Sequence, residues 1–277
     1  MSDAQNDDYW QGTALRRLVE DPRPLAWGGL FLVAGAGWAF LSAMATLQGA
    51  PSDSHLIRLL VSLCTVSPGD WGIADFAAAT VMWSAMAFAM MLPAGAPLLS
   101  TYLDISGAAR LKNMEVVSPV VLIAGYVSVW LIFALLATAV QWGLVSARAL
   151  TGELALLNPV LGGTVLIGAG LWQFTPVKHD CLTKCRRPFT WFMANWRDDE
   201  AGVFKLGFQQ GVFCLGCCWA LMAVMFVAGL MNLAWMAVLA VLMVLEKVIP
   251  NPRPLVYGTG IALVIGGGIM FARGMGI

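Results

Sequence analysis

The chain has 277 residues, 59% of them hydrophobic and only 12% charged, with equal numbers of basic and acidic side chains and a mean hydropathy of +0.76. A soluble domain is usually about one-quarter charged, so this composition excludes an ordinary soluble enzyme and indicates an integral membrane protein. No basic stripe with interleaved aromatics occurs, so nucleic-acid binding has no support.

The first 24 residues, "MSDAQNDDYWQGTALRRLVEDPRP", read as a polar tail with a short amphipathic helix stopped by Pro22 and Pro24. They lack the basic start and early apolar run of a cleavable signal peptide. From residue 25 to 277 the chain reads as a single all-α domain, a polytopic transmembrane helical bundle. A crossing needs about 20 mostly apolar residues. About seven segments qualify or nearly so: 25–47, 73–99, 117–141, 157–175, 207–230, 233–250 and 255–273. Met231-Asn232 reads as a tight turn capped by Asn232, and "PNPRP" at 250–254 separates the last two segments.

Thirteen of the 16 Lys and Arg residues fall in the tail and the even-numbered loops. Positive loops stay cytoplasmic, which predicts a cytoplasmic N-terminus, an outside C-terminus and residence in a bacterial inner membrane. Glycines cluster in the fourth segment (Gly162, Gly163, Gly168, Gly170) and the seventh (Gly258, Gly260, Gly266 to Gly268), as helices packed closely in lipid require.

In the second segment, Met82, Met86 and Met90 recur at i, i+4 and i+8, with Met91 beside them, and Pro93 predicts a kink. Methionine also fills irregular apolar gaps, so the stripe alone is ambiguous. The loop at about 176–206 is the one sizeable polar stretch inside the body of the chain, and it carries His179, Cys181 and Cys185. The two cysteines share a face if this stretch is helical, and on the reducing side of the membrane they are free thiols or metal ligands before they are a disulfide. Basic residues and Trp191, Phe192 and Trp196 give the same loop the look of an interfacial surface.

The fifth segment contains "GVFCLGCCWALM". Cys214, Cys217 and Cys218 stand at i, i+3 and i+4, so one helix face holds all three thiols. They lie about 12–20 Å along the helix from its inner end, near the depth of Met90 and Met91. A single buried cysteine is unremarkable packing, but five on one side of the bilayer suggest soft-metal chemistry, in which thiolate and thioether favour Cu(I), with zinc possible. Glu246, near the inner end of the sixth segment, is either a snorkelling end residue or a residue with a role: a direct ligand, a supporting group or a proton acceptor. Lys247 points about 100° away from it and is a poor direct partner.

The blocks "VMWSAMAFAMMLP", "GYVSVWLIFALLATAVQW", "GLWQFTPVKHDCLTKCRRP" and "GVFCLGCCWALMAVMFVAGLMNLAWMAVLAVLMVLEKVIP" resemble a bacterial domain-of-unknown-function family of predicted metal-binding integral membrane proteins, over about residues 78–270. The resemblance implies a membrane location and metal binding, and its shared residues map to Cys181, Cys185, Cys214, Cys217, Cys218, Asn232 and Glu246. The chain departs from the family pattern at His179-Asp180.

The expectation is therefore a membrane protein that binds a soft metal, Cu(I) favoured, through Cys214, Cys217 and Cys218. Cys181 and Cys185 would be an acceptance or hand-over pair, and Met86, Met90 and Met91 a thioether layer, with Glu246 and His179 as further candidates. Its role would be metal handling, delivery or metalloenzyme assembly, without a catalytic site of its own. Its partners would be membrane lipids and a metallochaperone or membrane metalloenzyme client. A membrane thiol–disulfide relay and a structural subunit of a larger complex are the competing readings.

Overall fold

The computed structural model describes residues 23–47, 72–112, 114–151, 154–230 and 232–276. The expected amphipathic helix of the tail lies outside these residues. The described chain is all-α. Its helices are α1 (Arg23–Leu47), α2 (Ile73–Ala94), α3 (Ala96–Arg110), α4 (Pro119–Ser146), α5 (Pro159–Trp172), α6 (Pro176–Arg186), α7 (Pro188–Asn195), α8 (Glu200–Ala223), α9 (Met225–Ala228), α10 (Leu233–Val248) and α11 (Arg253–Met275).

Five stretches are long and apolar enough to cross a membrane: Arg23–Thr46, Ile73–Ala94, Pro119–Ser146, Glu200–Ala228 and Arg253–Met275. The expected crossing at 157–175 is only the 14-residue α5, which passes as a span only together with α6, across a 63° bend. The expected crossing at 233–250 is the 16-residue α10, about 24 Å long against a hydrocarbon core of about 30 Å. Among the described residues there are thus five or six candidate crossings, against an expected seven. The polar 176–206 stretch is folded into α6, α7 and the start of α8 rather than forming an open loop.

Local sequence explains the boundaries. Ser118-Pro119, Asn158-Pro159 and Thr175-Pro176 each place a capping side chain before a proline that needs no donor at the first helical turn. The Asn158 carboxamide accepts from Val160 N and Leu161 N at 2.8 and 3.3 Å. Asn232 caps α10 by accepting from Trp235 N at 3.2 Å, as expected of the turn it ends. Gly229 supplies the positive φ (91°) that this turn needs. Pro93 lies inside α2 and cannot donate to the Ala89 carbonyl, and that carbonyl instead accepts from the Trp38 indole at 3.1 Å. The helix itself ends at the next residue, Ala94, with Gly95 as its C-cap.

Glycines set two close crossings. A Cβ on Gly163 would come within 2.7 Å of the Gly267 carbonyl, and one on Gly170 within 2.8 Å of the Gly260 carbonyl, so α5 and α11 touch backbone to backbone. Gly168, Gly258, Gly266 and Gly268 face open space and play no part in that contact. The second crossing joins α4 to α8: Cβ atoms on Gly125 and Gly207 would overlap the carbonyls of Phe204 and Leu122.

Candidate metal centre

The α4–α8 crossing positions the thiols. Gly207, Gly211, Cys214 and Cys218 follow one another at helical spacing on one face of α8, so the face that meets α4 closely carries the cysteines one and two turns on. At Cys214 that contact becomes polar. The Tyr126 hydroxyl of α4 is 3.1 Å from Cys214 Sγ and donates to the Met91 carbonyl of α2 at 2.9 Å. Cys217 Sγ is 3.3 Å from Cys218 Sγ and donates to the Cys214 carbonyl at 3.1 Å. All three thiols are at most 1% exposed.

The fourth thiol comes from α6. Cys185 is buried and lies close enough to Cys214 and Cys217 to interact with both. Cys181, one turn earlier, is only partly buried and packs on α8 at Gly216, where a Cβ would come within 2.8 Å of its sulfur. The five described cysteines are free thiols. Among the described residues no three His, Cys, Asp or Glu side chains are already set as a metal-holding group. The four clustered sulfurs instead engage one another, the backbone and Lys247.

Lys247, on α10, donates to Cys214 Sγ at 2.9 Å and is 4% exposed. Its neighbour Glu246 does not pair with it. Both Glu246 oxygens accept from Lys178 of α6, at 2.9 and 3.0 Å, and Lys178 also donates to the Gln173 carboxamide. Lys178 and Glu246 have 0% and 1% exposed side chains, so this is a fully buried ion pair. A lone buried charge is expensive, and pairing with added hydrogen bonds offsets that cost. Three buried ionisable side chains beside the thiols are thus each engaged: Glu246 with Lys178, Lys247 with sulfur.

The remaining sequence candidates separate. His179 lies on the other side of α6, with its ring edge-on to Tyr257 at 5.5 Å. Met86, Met90 and Met91 are all buried. Met90 faces a groove with Trp38, Pro93 and α10 residues such as Ala240 and Val244, whereas Met91 approaches the thiols through its carbonyl and Tyr126. Tyr126, Lys178 and Lys247 were missed as site residues. The two lysines counted as ordinary loop charges, and a signal was present in adjacent Glu246-Lys247 near a span end, two charges a helix must direct to different partners.

An all-α bundle with several apolar spans and a buried four-thiol cluster defines a membrane protein of soft-metal handling. A family model described as "PpoB2: Copper chaperone" matches residues 80–270, and the chain belongs to that family. No curated protein and no solved structure matches the chain. The family description implies copper as the cargo and favours the metal reading over the relay and the structural subunit.

Proposed function

We propose that the chain carries copper as Cu(I), held by the thiols of Cys214, Cys217, Cys218 and Cys185, and passes it to an apo-metalloenzyme client at a bacterial inner membrane. The observation that supports this most directly is that two helices bring four thiols to one buried spot against the Lys247 ammonium. Thiolates and thioethers prefer Cu(I) to hard cations, and Cu(I) accepts the low coordination numbers that few sulfurs can offer. Thiols must lose protons to bind metal, so the bound complex is anionic and the fixed charge of Lys247 offsets it. Glu246 serves Lys178 and His179 lies across α6, so both drop out of this ligand set.

Cys181 is the partly exposed thiol on the same helix as Cys185, which suits it to first contact or hand-over. Transfer is ligand exchange: one Cu–S bond forms as another breaks, each incoming thiol gives up a proton, and no electron moves. Met86 and Met91, both buried, would serve as supporting thioethers. Elemental analysis of the purified chain tests the reading. Copper is expected in stoichiometric amount from copper-replete cells, and it should fall to background in Cys217→Ser/Cys218→Ser with the fold retained. Zinc in place of copper, or copper unchanged in that variant, would overturn it.

A further inference from the structure

On the side of α6 away from the thiols, a cavity of about 440 Å³ opens between this helix and the loop that starts α11. Arg186, Arg187 and Arg253 line it, against a single carboxylate, Asp180. Arg186 is committed to the wall: it donates to the carbonyls of Lys247, Ile249 and Pro250, which end α10 and begin the loop. Arg187 and Arg253 are exposed, and neither belongs to an ion pair among the described residues. His179 Nε2, also at this cavity, is buried without a hydrogen-bond partner among the described residues. The first turn of α11 adds the partial positive charge of a helix N-terminus.

The cavity also has an apolar exit. Tyr257, Ile261 and Ile265 stand at i, i+4 and i+8 on α11, exposed by 40%, 53% and 57%. Phe174 stacks on Tyr257 at 5.7 Å and widens that surface. The stripe runs along a candidate membrane span that is only 17% buried in the protein. A free anion would use the arginines and leave the stripe idle. A phospholipid uses both, with the phosphate between the guanidiniums and an acyl chain along the stripe.

We infer that this cavity binds the headgroup phosphate of an anionic phospholipid whose acyl chain lies along Tyr257, Ile261 and Ile265. An anionic headgroup is favoured over a zwitterionic one because the choline cation would meet Arg187 and Arg253. The inference is independent of copper, since none of the four clustered thiols lines the cavity.

The test is lipid retention by the detergent-purified full chain in native mass spectrometry, titrated with dioleoyl phosphatidylglycerol, dioleoyl phosphatidylcholine or inorganic phosphate. Phosphatidylglycerol should bind and phosphatidylcholine should not. Arg187→Gln/Arg253→Gln should weaken phosphatidylglycerol about thirtyfold, given the usual attraction of each basic residue for an anionic lipid surface. Asp180→Asn should tighten it about fivefold, a gain that a merely unfolded variant cannot mimic. Copper content should stay at the wild-type level in both. Equal retention of the two lipids, displacement of phosphatidylglycerol by equimolar inorganic phosphate, or the same affinity in wild type and Asp180→Asn would overturn the assignment.

Discussion

Helix α6 has two faces, and they treat charge in opposite ways. Toward α8 and α10 it presents Lys178, Cys181 and Cys185, and there Lys178 is completely buried and paired with Glu246. Toward the Pro250 loop it presents His179, Thr183 and Arg187, with an open cavity and guanidiniums free of ion pairs among the described residues. The difference is one of solvation. A buried charge must find its counter-charge within the protein, whereas an exposed one can wait for a ligand. The first face is therefore a closed structure, the one proposed to take the metal, and the second is open to solvent.

Removing one partner from the closed face should have the largest effect. Lys178→Ala strands the Glu246 carboxylate, whose side chain is only 1% exposed, which should cost about 3–5 kcal/mol in thermal or denaturant melts of the detergent-solubilised chain. Replacing both charges together, Lys178→Met with Glu246→Leu, should restore most of that loss. An open-face change such as Arg187→Gln should move stability by at most about 0.5 kcal/mol. Comparable losses from Lys178→Ala and Arg187→Gln would erase the distinction between the faces.

The next effect comes from the backbone crossing that delivers Cys214 to Tyr126. Gly207→Val would force side-chain atoms into the Leu122 carbonyl and should destabilise by about 1–3 kcal/mol, with copper content falling alongside. Gly168→Ala, on an exposed and unobstructed face of α5, should stabilise slightly, by up to about 1 kcal/mol. Melting curves with parallel elemental analysis check both.

Much of this was legible in the sequence where periodicity carries the information. The helical class, the shared face of Cys214, Cys217 and Cys218, the cap at Asn232 and close packing at some glycines of the fourth and seventh segments follow from local spacing, but not that these two segments pack on each other. What spacing could not supply was contact between distant elements. Lys178 and Glu246 are 68 residues apart, and Lys247 and Cys214 are 33 apart. Each lysine alone looks like an ordinary loop charge, and only the α6–α8–α10 packing turns them inward. The polar stretch at 176–206 misled for the same reason: its apolar positions cover α8, so low mean hydropathy concealed a packed helix. Seven expected crossings became five or six candidates among the described residues because apolar α5 and α10 are each too short to span alone, and α5 passes only together with α6.

Lys247 sharpens the metal side of the comparison. Lys247→Met keeps most of the side-chain volume and removes the ammonium 2.9 Å from Cys214. If fixed positive charge holds the anionic copper–thiolate complex, Cu(I) affinity measured by competition with a chromogenic chelator should fall about tenfold or more, as one partly screened charge contact predicts. Lys247→Arg should retain more of the affinity than Lys247→Met. Equal affinity in wild type and Lys247→Met would leave the lysine a packing role only.

A smaller effect on copper than that of Lys247 belongs to Tyr126, and it separates holding the thiols from holding the helices. Its hydroxyl touches Cys214 and donates to Met91, so it ties α4 to α8 and to α2 at one point. Tyr126→Phe removes only that oxygen and leaves the buried ring against Trp130, 6.5 Å away between ring centroids. A neutral hydrogen bond contributes about 1 kcal/mol, and the Met91 carbonyl left behind is already served by the amide of Gly95 at 3.0 Å. Stability should therefore drop by about 1 kcal/mol, and Cu(I) affinity by only a few fold, because no ligand and no fixed charge is lost. A drop in affinity as large as that of Lys247→Met would mean that the hydroxyl orients Cys214 for the metal, and would move Tyr126 from the scaffold into the centre itself.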